Sequence, residues 1–190
     1  MTVALMQKRP LLVVLLGPSG SGKSTLGALL AQHLPGSKLL DTDTVPVPGR
    51  GDGFDVRTEQ DRYELYRSMQ SAAREVLAAN RDAIWCQALT MEAADPSHPP
   101  PAGRLGLVSL ADSTNAGIAM LHCVTPVPVL KERLRQRRRP TRTGVPWSDV
   151  LQRMLASWEP IRHSHLRVNT SGPVDMPLVL QYLEERRTIG

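Results

Sequence analysis

The stretch that decides the fold runs Leu11-Leu-Val-Val-Leu-Leu-Gly-Pro-Ser-Gly-Ser-Gly-Lys-Ser-Thr25. It begins with the continuous apolar run Leu11–Leu16, which is typical of a strand buried on both faces of a parallel sheet. From Gly17 to Ser24 the chain matches G-x-x-x-x-G-K-S, the pattern of a phosphate-binding loop. The spacing of the residues that follow predicts an amphipathic helix, with Leu26, Leu29, Leu30, His33 and Leu34 on its core face. A strand, a glycine-rich turn and a helix in this order are the context that the motif requires.

Each residue type of the loop has a physical role in holding a polyphosphate. The glycines let the backbone curl so that its N–H groups point inward, and the N-terminus of the helix adds positive potential. Lys23 would reach the β- and γ-phosphates, and the Ser24 hydroxyl is the predicted ligand of Mg²⁺. The predicted nucleotide-binding residues of the loop are Gly17, Pro18, Ser19, Gly20, Ser21, Gly22, Lys23, Ser24 and Thr25.

The bulk composition fits one domain over residues 1–190. Of the 190 residues 41% are hydrophobic, and the formal net charge is +5. We expect no membrane-spanning segment, because no apolar run reaches about 18 residues, and no signal peptide. Cys86 and Cys123 are expected to be buried thiols, which fits a cytoplasmic protein. The positive charge is concentrated in one segment and so does not indicate a general nucleic-acid surface; this segment contains Lys131, Arg133, Arg135, Arg137, Arg138, Arg139 and Arg142.

Predicted strands and helices alternate along the chain, which is typical of the α/β class. We therefore expect a parallel sheet with helices on both faces and a ligand site beyond the carboxyl ends of the strands. We expect Thr125 to cap one helix, with Pro126 at its first helical position. Besides the first strand and helix, strands are predicted at 37–40, 83–89, 117–124 and 166–168, and further helices at 58–79, 104–111, 147–158 and 177–187. Core-facing positions in these helices include Tyr66, Val127, Leu130, Leu134, Leu178, Tyr182 and Leu183.

Two carboxylates, Asp41 and Asp43, follow the second predicted strand at the edge of the sheet where the phosphate loop lies. A kinase needs a carboxylate near the γ-phosphate that orients or deprotonates the attacking hydroxyl. Only one of the two carboxylates is expected to face the phosphates. The alternative is a polar turn that caps the strand. The residues alone leave the choice within the pair open.

Arg133 and Arg137 are four residues apart in a predicted helix and are therefore expected to share one face. Arginine side chains grip phosphate oxygens and offset the charge that develops during phosphoryl transfer. An arginine-bearing lid at about residues 135–147 would also exclude water from the reaction. The alternative for this segment is a solvated basic helix end.

The chain resembles the small P-loop kinases of the adenylate-kinase-like branch, a group that includes gluconate kinase, chloramphenicol phosphotransferase, zeta toxin and polynucleotide 5′-kinase domains. The resemblance rests on residues 17–25, 40–43, 129–137 and 168–173. It implies a three-layer P-loop NTPase fold with a five-stranded parallel sheet of order 2-3-1-4-5. It also implies that the protein uses ATP and Mg²⁺.

The same resemblance implies roles for particular residues. Asp43 would be the catalytic base, with Asp41 beside it, and Arg133 and Arg137 would be the lid arginines. Thr170 would contact the nucleotide, because residues 169–173 correspond to the segment near the adenine.

The chain departs from its relatives at two positions that bear on the acceptor. Many relatives carry Asp at the end of the third strand, where this chain has Gln87. Relatives also often carry Arg three residues after the base, where this chain has Pro46. Either Arg50 or Arg57 would substitute for that arginine, or the acceptor would differ from those of the relatives. The candidate acceptor-binding residues are Asp43, Arg50, Arg57, Arg62 and Gln87.

The leading hypothesis is an ATP-dependent phosphotransferase that moves the γ-phosphoryl group to a hydroxyl of a small molecule, such as a sugar, a nucleoside or an antibiotic. Lys23 and the lid arginines would stabilise the transition state. The first alternative is a polynucleotide 5′-hydroxyl kinase, although three Trp, three Tyr and one Phe offer few platforms for base stacking. The second alternative is a non-catalytic ATP-binding switch protein. No membrane partner is expected, and the sequence leaves the oligomeric state open.

Overall fold

The phosphate loop joins the central strand of a parallel sheet to the helix that follows it. The computed structural model describes residues 8–45, 47, 58–93, 103–137 and 145–188. In these residues strands and helices alternate in the predicted order. The strands are β1 Leu11–Leu16, β2 Lys38–Asp41, β3 Ala83–Cys86, β4 Gly117–Val124 and β5 His165–Asn169. The helices are α1 Lys23–His33, α2 Glu59–Ala78, α3 Arg104–Ser113, α4 Val127–Arg135, α5 Trp147–Ala156 and α6 Met176–Thr188.

The described strands form one five-stranded sheet of order β2-β3-β1-β4-β5, in which all neighbouring strands are parallel. The predicted order 2-3-1-4-5 is therefore confirmed. The strand β1 can lie at the centre because its apolar run tolerates burial on both faces, and every residue in it is 0% exposed. Leu12 pairs with Ala83 of β3 on one side and with Ile118 of β4 on the other. This register brings the phosphate loop, Asp41 and Gln87 to the same edge of the sheet.

The alternation of side chains along β1 divides the core into two layers. Its even-numbered residues pack with α2 and α3, in a cluster that includes Met69 and Leu107. Its odd-numbered residues pack with α1 and α6, in a cluster that includes Leu26 and Leu183. Each buried aliphatic side chain contributes about 1.5–3 kcal/mol, so both layers hold the sheet between helices. Within the described part of the chain, no helix is long and apolar enough to cross a membrane.

The start of α4 differs from the prediction that Thr125 caps it. Pro126 is the N-cap residue, and no side chain caps the helix. The hydroxyl oxygen of Thr125 instead lies 2.8 Å from that of Thr170, because the carboxyl ends of β4 and β5 are neighbours in the sheet. Thr125 therefore links two strand ends rather than a helix end.

Three residues predicted to face the core are exposed: His33, Val127 and Leu178. Val127 is 40% exposed and Leu178 is 48% exposed. The buried residues of α6 are Val179 and Leu183, which are four residues apart on one face. Leu178 precedes Val179 by one position and is therefore turned about 100° away around the helix.

Candidate active site

The backbone of the phosphate loop requires glycine at both ends. Gly22, the N-cap of α1, has φ 84° and ψ 13°, a left-handed conformation that other residues rarely adopt. Gly17 has φ 145°, and a Cβ there would lie 2.9 Å from the carbonyl oxygen of Cys123. With glycine at both positions the loop curls tightly between β1 and α1. Its N–H groups and the helix N-terminus together form a site suited to an anion.

Lys23 is folded back over the loop. Its Nζ donates to the carbonyl oxygens of Gly17 at 2.8 Å and Pro18 at 2.9 Å. Burial lowers the pKa of Lys23 below its ordinary value of 10.5, although Cys86 and Asp41 act in the opposite direction. A phosphate bound at the loop would favour the charged form of the ammonium group. Lys23 is therefore placed to exchange its carbonyl partners for phosphate oxygens.

The two carboxylates at the end of β2 occupy different positions. Asp41 is only 6% exposed, and its Oδ2 accepts a 2.7 Å hydrogen bond from Ser24 Oγ. Its Oδ1 accepts a 2.9 Å hydrogen bond from the backbone N–H of Asp43. Asp43 itself is half-buried at the wall of a cavity. Both residues line this cavity, and Asp41 is hydrogen-bonded to Ser24 of the phosphate loop.

Ser24 and Asp41 offer the oxygen ligands that Mg²⁺ prefers. Among the described residues, no group of three or more His, Cys, Asp or Glu side chains could hold a metal ion. Further ligands would therefore come from the nucleotide and from water. Cys86 Sγ lies 3.7 Å from Ser24 Oγ, and burial raises the pKa of Cys86 to about 12, which keeps this thiol neutral. The residues present fit a Mg²⁺ ion that is held by one hydroxyl and one carboxylate.

Arg133 lies against the phosphate loop. Its guanidinium donates to the carbonyl oxygens of Gly20 at 3.2 Å and Thr170 at 2.8 Å. Thr170 is buried, and its hydroxyl donates to the carbonyl oxygen of Ser21 at 2.6 Å. These bonds tie α4 and the end of β5 to the loop. Arg133 and Thr170 therefore both border the loop. The hydroxyl of Thr170 supports the loop through its hydrogen bond to Ser21.

Arg137 does not share a helix face with Arg133, contrary to the prediction. The helix α4 ends at Arg135, and Arg137 lies beyond it. The guanidinium carbon of Arg137 lies 4.8 Å from the ring centroid of Trp147, a cation–π contact. Arg137 lines the cavity from this position beyond the helix, and not from a helix face shared with Arg133.

Helix α5 forms a wall of the cavity that the sequence analysis did not assign. Ser19 Oγ lies 3.5 Å from Met154 Sδ, so this helix contacts the phosphate loop. Arg153 adds a positive charge to the wall. The signal available in the sequence was the spacing of three and four residues that marks one helix face. The residues of α5 and its end that line the cavity are Trp147, Val150, Arg153, Met154 and Ser157.

The carboxyl ends of the strands open into a cavity of about 1080 Å³. The phosphate loop, α4 and α5 form one side of it. Further lining residues come from the end of β2, from α2 and from the segment after β3, and we call them the acceptor wall: Asp43, Arg62, Leu65, Tyr66, Gln87 and Thr90. The prediction that Tyr66 lies in the core is therefore wrong: Tyr66 is half-buried and lines the cavity. It lies four residues after Arg62, on the same face of α2.

The predicted acceptor-binding residues fall into two groups. Asp43, Arg62 and Gln87 come together on the acceptor wall. Arg50 and Arg57 lie outside the described residues, as do Pro46 and residues 138–144 of the predicted lid.

A buried arginine that the sequence analysis did not single out joins the acceptor wall to the end of α5. Arg104 is 0% exposed and forms an ion pair with Glu92. It also donates to the carbonyl oxygen of Leu89 at 2.9 Å and to those of Glu159 and Pro160 at 3.0 Å. One guanidinium group therefore holds the segment after β3 against the segment after α5. The strand β3 ends at Cys86 rather than at the predicted Leu89, because its pairing with β1 and β2 ends there.

This site and this fold define the class of P-loop nucleotide-binding domains: a phosphate loop follows the central strand of a 2-3-1-4-5 sheet, with arginines from neighbouring elements beside it. Within that class the chain belongs to the AAA_33 family, described as an AAA domain, whose model matches residues 12–161.

Solved structures share the fold at low sequence identity. An unliganded sugar kinase from Janibacter sp. HTCC2649 is 22% identical with a TM-score of 0.63, and the match covers 93% of this chain and 95% of that one. A gluconokinase from Sinorhizobium meliloti 1021 is also 22% identical, with a TM-score of 0.57 and coverage of 95% and 93%. The Mycobacterium tuberculosis APS kinase CysC, in complex with AMPPNP and APS, is 17% identical, with a TM-score of 0.60 and coverage of 93% and 98%. No curated protein sequence matches the chain significantly.

Proposed function

We propose that the protein is an ATP-dependent kinase that phosphorylates a hydroxyl group of a small molecule. The observation that carries the proposal is that the phosphate loop and the acceptor wall line the same cavity. At about 1080 Å³, it has room for a nucleotide and a second small ligand. ATP as the phosphoryl donor is supported by the similarity to an APS kinase that binds AMPPNP.

The side chains suit in-line phosphoryl transfer. Lys23 and the loop N–H groups would hold the phosphates, and Ser24 with Asp41 would hold Mg²⁺, which offsets charge on the phosphate oxygens. Asp43 would take the proton of the attacking hydroxyl. The acceptor oxygen forms a bond to the γ-phosphorus while the bond to the β–γ bridging oxygen breaks, and ADP leaves. Arg133 and Arg137 would stabilise the negative charge of the transition state.

An acceptor screen tests this function. The protein is incubated with ATP, Mg²⁺ and pools of sugars, sugar acids, nucleosides and hydroxylated antibiotics, and separately with a 5′-hydroxyl oligonucleotide. Mass spectrometry identifies any compound that gains a phosphoryl group. We expect a phosphorylated small molecule with the wild type, and none with Lys23→Met, which removes a charge from the transferring phosphoryl group.

Two outcomes would contradict the proposal. Phosphorylation of the oligonucleotide alone would identify a polynucleotide kinase. ATP binding by the wild type without transfer to any compound would favour a switch protein.

A further inference from the structure

The side-chain amide of Gln87 has its orientation set by a neighbouring indole. Trp85 is 1% exposed and packs in the core layer that includes α2 and α3. Its Nε1 donates a 3.0 Å hydrogen bond to Gln87 Oε1. Because an indole N–H can only donate, its partner must be the amide oxygen and not the amide nitrogen. The NH₂ group of Gln87 therefore points away from the indole.

The NH₂ group is available to a ligand in the cavity. The side chain of Gln87 makes no other hydrogen bond within the described part of the chain. Its side-chain nitrogen is not among the atoms that are both buried from solvent and without a hydrogen-bond partner. Since this nitrogen has no partner, it is accessible to solvent, and Gln87 lines the cavity. The side chain of Gln87, which is only 6% exposed, thus presents its N–H donors to the cavity.

The chemistry of this position favours one kind of ligand. Two N–H donors pair with oxygen lone pairs, best with those of a carboxylate, and they cannot pair with an ammonium group. Arg62 adds a positive charge to the same wall. A site built to form a hydrogen bond rejects analogues that cannot form it, because its buried polar group is left unpaired.

We propose that Gln87 selects a hydroxy acid as the phosphoryl acceptor, with the carboxylate of the acid on the amide N–H groups and a hydroxyl near Asp43. This inference rests on the proposed kinase function and names the substrate class of that site. Trp85 is a positioning residue: it holds the amide oxygen and so prevents the amide from turning that oxygen toward the acceptor.

The test compares compounds with the same short polyol chains and different end groups: aldonic acids, alditols and 1-amino-1-deoxyalditols. Binding to the full chain is measured by titration calorimetry with Mg²⁺ and AMPPNP present. The measurements are made at about pH 8, where an introduced glutamate is ionised. The variants are Gln87→Glu, Gln87→Met and Trp85→Phe, and thermal unfolding checks that each one folds.

The wild type is expected to bind the best acid about 5- to 10-fold more tightly than its alditol, because the alditol hydroxyl is a neutral acceptor and a hydrogen bond to a charged group is stronger. The Gln87→Glu variant keeps an acceptor for the Trp85 indole, and it should bind the amine more tightly than the acid. The Gln87→Met variant should bring the acid and the alditol to within about threefold of each other. The Trp85→Phe variant should reduce the ratio of acid affinity to amine affinity about tenfold, because the amide can then turn.

Three results would overturn the inference: no binding of any acid, equal binding of acids and alditols by the wild type, or an unchanged acid-to-amine ratio in Trp85→Phe. Phosphoryl transfer from ATP to the same compounds is measured separately. Acid binding that depends on Gln87 but leads to no transfer would contradict the kinase function and leave the selection by Gln87 standing. Transfer to alditols and acids at equal rates, with equal binding, would support the kinase function and overturn the selection.

Discussion

Asp41 and Asp43 are identical in chemistry, and their surroundings give them different expected roles. Asp41 is nearly buried and accepts a hydrogen bond from Ser24, whose hydroxyl suits a hard cation. Asp43 supports Asp41 through its backbone N–H, while its side chain lies at the acceptor wall. We therefore expect Asp41 to act on the metal ion and Asp43 to act on the acceptor.

Steady-state kinetics at varied Mg²⁺ should separate the two carboxylates. Asp43→Asn should lower kcat about 100-fold or more with ATP affinity unchanged, because a general base is lost. Asp41→Asn should raise the Mg²⁺ concentration for half-maximal rate about tenfold or more. If the altered Mg²⁺ requirement appears in Asp43→Asn instead, the two roles are reversed.

His122 should make the stability of the protein depend on pH. It stacks on Trp158 with ring centroids 5.6 Å apart. Burial lowers the pKa of His122 from 6.5 to about 4, and the positive charges of His165 and Arg167 act in the same direction. Between these two pH values the unfolded chain binds a proton that the folded chain does not. Stability is therefore fully present above pH 6.5 and falls as the pH drops toward 4, by about 2 kcal/mol after solvent screening.

Denaturant unfolding at a series of pH values measures this effect. The free energy of unfolding of the wild type should decline through this pH range, and His122→Gln, which cannot titrate there, should show a shallower decline. Equal slopes in the two proteins would contradict the assignment to His122.

At the scale of elements, the cavity is enclosed because α4 and α5 are joined near the phosphate loop. Leu130 and Leu134 of α4 pack with Leu151 of α5 in a small cluster of their own. The contact between Arg137 and Trp147 lies beside this cluster, between the end of α4 and the start of α5. Arg137 is thereby held at the cavity, where it can act on a phosphoryl group in transfer.

Replacement of Arg137 should affect the reaction more than nucleotide binding. Arg137→Ala should lower kcat about 10- to 100-fold with less than about a threefold change in the Kd for ATP, because the charge that it offsets develops in the transition state. Arg135→Ala is the matched control, since Arg135 is exposed and pairs with Glu132, and it should leave both quantities unchanged. Equal losses of kcat and ATP affinity in Arg137→Ala would mean that Arg137 binds the ground state.

At the level of the whole molecule, the segment after β3 is connected to the segment after α5. The side chain of Arg104 and a backbone hydrogen bond both contribute to this connection. The ion pair of Arg104 with Glu92 is buried, and the backbone N–H of Glu159 donates to the carbonyl oxygen of Thr90 at 2.9 Å in the same region. Buried charges of this kind are costly unless each is paired. The segment after β3 and the segment after α5 are therefore held together by this guanidinium group and by a backbone hydrogen bond.

Arg104→Met should lower the free energy of unfolding by about 3–5 kcal/mol, because it removes the guanidinium from a buried carboxylate. Replacing Glu92 by Leu as well should recover part of the loss, since the buried charge is then gone. Arg74→Met is the control: Arg74 is exposed, and a change of about 0.5 kcal/mol or less is expected. Denaturant unfolding measures all three, and a loss for Arg104→Met as small as the control would show that Arg104 does not stabilise this junction.

The features that could be predicted from the sequence are those that depend on neighbours along the chain. The phosphate loop is a contiguous motif, so Gly17, Lys23 and Ser24 could be assigned without a structure. The apolar run of β1 and the alternation of strands with helices were enough for the parallel sheet, and with the resemblance for its order. Helix faces could be assigned only to within one residue, as Leu178 and Val179 illustrate, because neighbouring positions on a helix differ by about 100°.

Contacts between residues that are distant along the chain could not be predicted in this way. Ser24 and Asp41 are 17 residues apart, and their hydrogen bond separates the two carboxylates that the sequence left equivalent. Arg104 and Glu159 are 55 residues apart, and nothing local marks Arg104 as different from an exposed arginine. The orientation of the Gln87 amide likewise depends on where the indole of Trp85 packs. Such contacts arise from the packing of layers against the sheet, which local patterns along the chain do not encode.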